Sequence, residues 1–139
     1  MADAFRNAFS LGVRRAVLVG TDIPDLPPER IGQAFDCLRS FSSVIGPTHD
    51  GGYYLIGFRA DGFTESVFDG QPWGSGRVFQ ETLAAFRRKN ETPCLLECWS
   101  DIDRPEDLSA FMKRQAGVPG AASATAAFLA ERFPDGPPT

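Results

Sequence analysis

Ala4, Phe5, Ala8 and Phe9 recur at helical spacing, and Gly12 ends that predicted helix before Arg14 and Arg15. Ala16-Val17-Leu18-Val19 then runs without a polar break, the mark of a strand buried on both faces. Pro27 and Pro28 open a second helix whose inward stripe is Ile31, Ala34, Phe35, Leu38 and Phe41. Val44-Ile45-Gly46 and Tyr53 to Phe58 are predicted strands on either side of the turn-rich Pro47-Thr48-His49-Asp50-Gly51-Gly52. Ser75 can cap a helix that buries Val78, Phe79, Leu83 and Phe86, and Cys94 to Trp99 is a fourth strand.

Asp103-Arg104-Pro105-Glu106 fits a helix start, with Asp103 as N-cap and Glu106 completing a capping box, after which Leu108, Phe111 and Met112 face inward. Gly117-Val118-Pro119-Gly120 breaks the chain, and a last short helix carries Phe128, Leu129 and Phe133. Strands and helices alternate, which predicts an α/β fold: three layers, α/β/α, around a mostly parallel sheet. The expected organisation is one α/β domain over residues 1–116, a linker and C-terminal helix over 117–133, and a loose tail over 134–139.

Composition narrows the function classes. The 139 residues are one-domain length, and the hydrophobic and charged fractions of 42% and 23% are those of a globular chain. Fourteen Lys and Arg against 18 Asp and Glu leave a net charge of −4 with no basic block, so nucleic acid is not an expected partner. No apolar run approaches the roughly 20 residues of a membrane span, and no signal-peptide core is visible, so the expected location is cytoplasmic. Cys37, Cys94 and Cys98 lack any Cys-x-x-Cys or ligand spacing and are expected to be reduced, buried and apolar.

The candidate chemistry sits where acidic residues follow strands. Asp22 and Asp25 come directly after the apolar run, at the carboxyl edge where open α/β sheets bind ligands. Asp25, close to Pro27 and Pro28, suits a helix cap, which leaves Asp22 as a Mg²⁺ or Mn²⁺ ligand, with an ordinary turn role as the competing explanation. Asp101 and Asp103 follow the last strand in the same way. With Asp103 taken as the cap, Asp101 is the second metal candidate, expected within metal-bridging reach of Asp22. Asp50-Gly51-Gly52 permits either a hairpin turn or close approach of a ligand. Trp73 can stack on a sugar or base or simply pack over the sheet, and Arg77 is a candidate phosphate contact. His49, the only histidine, lacks the partners of a catalytic triad.

Four motifs stand in register: Val17 to Leu26 (VLVGTDIPDL), Gly46-Pro47 through Asp50-Gly51-Gly52 to Gly57, Trp73 with Ser75, and Asp101 to Leu108 (DIDRPEDL). In this order, over roughly residues 3 to 115, the chain resembles the bacterial radical-SAM/selenodomain-associated transferases. That family is similar to the nucleotide-diphospho-sugar transferases of GT-A fold and to the guanylyltransferases of molybdenum-cofactor and 2-phospholactate metabolism. The resemblance implies metal-dependent transfer from a nucleotide-sugar or nucleotide donor, with Asp22 and Asp101 at Mg²⁺ or Mn²⁺. It places Asp50, Gly51 and Gly52 where donor sugar or phosphate lies. The alternatives it leaves open are nucleotidyl transfer and an inactive remnant serving assembly or binding. Longer relatives begin with a strand and a glycine- and basic-residue loop that holds the nucleotide. Nothing in Met1 to Val13 resembles it, so little transfer is expected from these residues alone, and the uncovered edge of Ala16 to Val19 is expected to form a homodimer.

Overall fold

A computed structural model describes residues 1–116, 124–134 and 136, which divide into two compact units. The larger comprises Met1–Gly20 and Pro27–Trp99. It holds α1 (Ala2–Ser10), β1 (Arg15–Val19), α2 (Pro28–Cys37), β2 (Ser43–Pro47), β3 (Tyr53–Arg59), α3 (Val78–Arg88) and β4 (Cys94–Leu95), with 3₁₀ turns at Ala60–Gly62 and Glu65–Phe68. The smaller comprises Thr21–Leu26 and the described part of Ser100–Thr139, with α4 (Pro105–Ala116) and α5 (Ala124–Arg132).

The sheet has the order β1-β3-β2-β4, and only its β2–β4 pairing is parallel; β1–β3 and β2–β3 are antiparallel. This corrects the expected mostly parallel, three-layer arrangement. The expectation failed at one strand. β1, β2 and β4 do run in one direction, as strand–helix–strand crossovers require. The turn at residues 48–52 is a hairpin, however, so β3 returns reversed and lies between β1 and β2. A second correction follows. Among the described residues β1 pairs with β3 alone and is an edge strand, its ends exposed, where burial on both faces was expected.

Phe5 of α1 is fully buried and meets Phe58 of β3 edge-on, ring centroids 5.0 Å apart. Ile45, Ile56, Val67, Phe68, Ala85 and Phe86 complete that core, which ties α1, α3 and the Glu65–Phe68 turn to the sheet. Alternation explains the set: Leu18 stands opposite Ile56 and Ala16 opposite Phe58 in the β1–β3 ladder, so one face of the pleat is apolar. α2 packs on β1 and β2 through Ala34 and Leu38, both wholly buried. The rest of its expected inward stripe, Ile31, Phe35 and Phe41, stays more than a third exposed, because the sheet ends at β1 and offers those side chains no strand to cover.

The cysteine expectation is corrected as well. Cys37, closing α2, forms a disulfide with Cys94 in β4, with Cα atoms 6.0 Å apart, while Cys98 is not part of a disulfide. Fifty-seven residues of sequence separate the pair, and only the packing of α2 and β4 around β2 makes them neighbours.

In the smaller unit, the Ile102 N–H donates to the Asp22 carbonyl at 2.9 Å, so the segment entering α4 runs beside residues 21–26. Pro105 opens α4 as expected, but the cap differs. Asp107, at the third helical position, accepts from the Asp103 and Arg104 N–H groups at 3.2 and 2.9 Å. Phe111 of α4 and Leu129 of α5 are buried, while Phe128 is exposed. The expected break at Gly117 to Gly120 and most of the expected loose tail lie outside the described residues.

Candidate active site

In the larger unit two loops meet backbone to backbone. The hairpin turn is shaped by Asp50, whose Oδ1 accepts from the Thr48 hydroxyl and, at 3.0 Å, from the Gly52 N–H. The Thr48 N–H donates to the Gly52 carbonyl at 3.1 Å and the Gly51 N–H to the Thr48 carbonyl at 3.3 Å, closing the turn. Gly51 has φ +92°, and a Cβ there would stand 2.1 Å from the Gly76 carbonyl oxygen, so no other residue fits. Its own carbonyl accepts from the Phe79 N–H at 2.9 Å, meeting one of the unpaired donors of the first turn of α3. Asp50, Gly51 and Gly52 thus pack against the Gly74-Ser75-Gly76-Arg77 turn. Both glycine N–H groups are consumed within the hairpin, so the hairpin explanation accounts for the turn itself.

Trp73 and Arg77 are carried on the second loop. Trp73 stands edge-on to Tyr53, centroids 6.5 Å apart at 75°, and is half exposed, so it presents an aromatic face to solvent where packing over the sheet was the competing expectation. Buried Gln71 anchors the loop from below, its amide donating to the Val67 carbonyl at 2.7 Å. Ser75 does not cap α3 directly. Its hydroxyl accepts from the Arg77 N–H at 3.4 Å, and Arg77 occupies the N-cap position with its guanidinium exposed.

Burial pushes the Tyr53 phenol up to about 12. The Thr82 hydroxyl facing it acts in the opposite direction, yet neither hydroxyl completes a hydrogen bond among the described residues. Burial likewise raises Tyr54, whose hydroxyl donates to the Glu97 carbonyl at 3.1 Å. Both phenols are therefore neutral supports beneath the turn and are not proton acceptors at ordinary pH. His49 is exposed and enters the architecture only by its backbone, donating to Trp99 at 3.2 Å.

The smaller unit carries the other acidic candidates. Asp22 is exposed and its backbone is bonded to Ile102, one residue from Asp101. Asp101 and Asp103 bring carboxylate oxygens within 4.8 Å of one another. Asp103 is the residue that sequence reasoning set aside, because a capping-box pattern explained it. With Asp107 doing the capping, that explanation is gone, and the acid three residues into the helix was the signal that could have shown it. Asp25 is not a cap either: its carboxylate is 5% exposed and ion-paired with the Arg114 Nε at 3.0 Å, while α2 begins at Pro28 with Pro27 in the N-cap position and no side-chain cap.

A family model described as an uncharacterized protein conserved in bacteria (DUF2064) matches residues 1–75, over half of the chain. The solved structure of a "putative nucleotide-diphospho-sugar transferase" from Desulfovibrio desulfuricans G20 superposes with a TM-score of 0.90 at 40% identity. That match covers 96% of this chain, which spans 58% of the solved one. No protein of curated function matches.

Proposed function

We propose a function from one premise: this chain belongs to the bacterial family DUF2064. It acts within a nucleotide-diphospho-sugar transferase, of the narrower radical-SAM/selenodomain-associated kind. Asp22 and Asp101 hold Mg²⁺ or Mn²⁺, with Asp103 as a further ligand, and Asp50, Gly51, Gly52, Trp73 and Arg77 receive the donor. One observation carries this: the Ile102–Asp22 backbone bond lays the two acidic loops side by side, in the unit where the Asp101 and Asp103 carboxylate oxygens lie within 4.8 Å of one another.

The donor set fits a hard divalent cation. Carboxylate oxygens are the ligands such ions take, and the spacing of Asp101 and Asp103 is within what two ligands on one ion span. When bound, the cation would neutralise charge building on a diphosphate leaving group. The remaining work falls to the chain's own residues. Trp73 offers its exposed ring face to a sugar or base, fixing orientation by stacking. Arg77 supplies positive charge for a phosphate oxygen in an otherwise acidic chain. Gly51 and Gly52 contribute by leaving room beside a rigid turn, since their N–H groups are already engaged.

Calorimetric titration of the chain with a panel of uridine and guanosine diphospho-sugars, in Mn²⁺ and in EDTA, tests this. We expect at least one sugar nucleotide to bind about tenfold or more tightly in Mn²⁺ than in EDTA, and Trp73→Ala or Asp101→Asn to remove that gain. Binding indifferent to EDTA, or none at millimolar ligand, would overturn it.

A further inference from the structure

β3 runs from Tyr53, beside the hairpin turn, to Arg59, six residue steps or about 20 Å away. At that far end lies a cleft of about 740 Å³ lined by Arg14, Arg15, Arg39 and Arg59, together with Asp61 and buried Leu38. Four guanidiniums against one carboxylate make the lining +3 in a chain whose net charge is −4. All of these residues belong to the larger unit.

The folded chain leaves this charge only partly answered. Arg15 and Arg59 stand directly opposite one another in the β1–β3 ladder, a like-charge pairing that disfavours the sheet. Asp61 answers Arg59 through two hydrogen bonds of 2.8 and 3.0 Å. Arg15 reaches the Phe35 carbonyl at 3.3 Å in the last turn of α2, the negative end of the helix dipole. Arg14 and Arg39 have no such relief: no carboxylate among the described residues pairs with either guanidinium. Their backbones are nevertheless fixed. The Arg14 carbonyl accepts from the Ala60 N–H at 2.9 Å, extending the ladder, and the Arg39 N–H donates to the Asp36 carbonyl at 3.0 Å where α2 ends. Secondary structure therefore fixes the backbones that carry Arg14 and Arg39, and their exposed guanidiniums order on a ligand.

We propose that this cleft is a second binding site, at the opposite end of β3 from the hairpin turn, for a ligand carrying two linked phosphates. Arginine forks suit phosphate oxygens, and a diphosphate with about three negative charges near neutral pH matches the lining charge. The cleft also has the volume of a small-molecule site, more than a single phosphate fills. Free pyrophosphate and a nucleoside diphosphate share this chemistry, and the test separates them.

The experiment is isothermal titration with pyrophosphate, uridine diphosphate and inorganic phosphate, in EDTA so that carboxylate-held cations play no part. It compares the unaltered chain with Arg14→Gln/Arg39→Gln and with Arg87→Gln/Arg88→Gln. The second pair removes the same charge from the exposed last turn of α3. Pyrophosphate is expected to bind at least about tenfold more tightly than inorganic phosphate, and to lose about tenfold or more in the first double variant but less than about twofold in the second. Uridine diphosphate equal to pyrophosphate identifies the two phosphates as the whole epitope; tighter binding identifies a nucleoside filling the rest of the cleft. No saturable binding at millimolar pyrophosphate, or equal losses in both double variants, overturns the site. Because no divalent ion is present, this result is independent of the transferase proposal.

Discussion

Replacing Gly51 by alanine attacks the contact that joins the two loops of the larger unit. The added Cβ would lie 2.1 Å from the Gly76 carbonyl oxygen and 2.6 Å from its carbon, so one loop must retreat by about 1 Å to restore ordinary contact. The φ of +92° adds about 1–2 kcal/mol for any side chain in that region. Retreat also stretches the 2.9 Å bond from the Phe79 N–H to the Gly51 carbonyl, worth about 1 kcal/mol. The expected destabilisation is about 2–4 kcal/mol. Gly74→Ala is the control, because Gly74 has φ +75° with no atom within 4 Å of an added Cβ, and should cost only about 1–2 kcal/mol. Urea unfolding followed by the combined fluorescence of Trp73 and Trp99 measures both. If Gly51→Ala costs no more than Gly74→Ala, the loops are not held by backbone contact and the reasoning fails.

Removing the Cys37–Cys94 link with the Cys37→Ser/Cys94→Ser variant should cost about 4 kcal/mol for a crosslink spanning 57 residues, and dithiothreitol should lower the melting temperature of the unaltered chain but not of the variant; equal melting in all samples would show that no such bond forms. Tyr53 titrates near 12 in the fold against about 10 unfolded, so its contribution is intact below pH 10 and fades as pH rises toward 12, removing up to roughly 3 kcal/mol. Tyr53→Phe should abolish that alkaline loss, and an unchanged pH profile would show that the phenol is not buried in the native state. The open edge of β1, beside the exposed Val19, Ile31 and Phe35, is expected to pair with a second copy of the chain, so light scattering at micromolar concentration should give twice the chain mass; a stable monomer would contradict it.

Local signals were legible where one residue type settles the backbone. Pro28 opens α2 and Pro105 opens α4, and α1 stops at Ser10 just before Gly12, all as the sequence indicates. Pairing direction was not legible in the same way. The apolar run Ala16 to Val19 has the composition of a central strand, yet what decides its place is β3, which a five-residue hairpin turn sends back between β1 and β2. The disulfide and the exposed part of the α2 stripe are likewise consequences of which strands are neighbours, and strand order leaves no local trace. Asp50, Gly51 and Gly52 were legible as a turn, and the loop carrying Trp73 and Arg77 packs against that turn through Gly76. Asp103 and Asp25 were misassigned because capping patterns overlap: Asp107 lies one residue past Glu106 and makes the bonds, and Asp25 has a distant partner, Arg114, that spacing could not reveal.

The most direct measurement is a Mn²⁺ titration of the chain followed by electron paramagnetic resonance, comparing Asp22→Asn, Asp101→Asn and Asp103→Asn with Asp36→Asn on the exposed face of α2. If the two acidic loops hold the cation, the unaltered chain binds Mn²⁺ saturably, Asp22→Asn and Asp101→Asn weaken it by about tenfold or more, Asp103→Asn weakens it less, and Asp36→Asn leaves it unchanged. Equal affinity in all four variants, or no saturable binding by the unaltered chain, would contradict the metal-dependent transferase account.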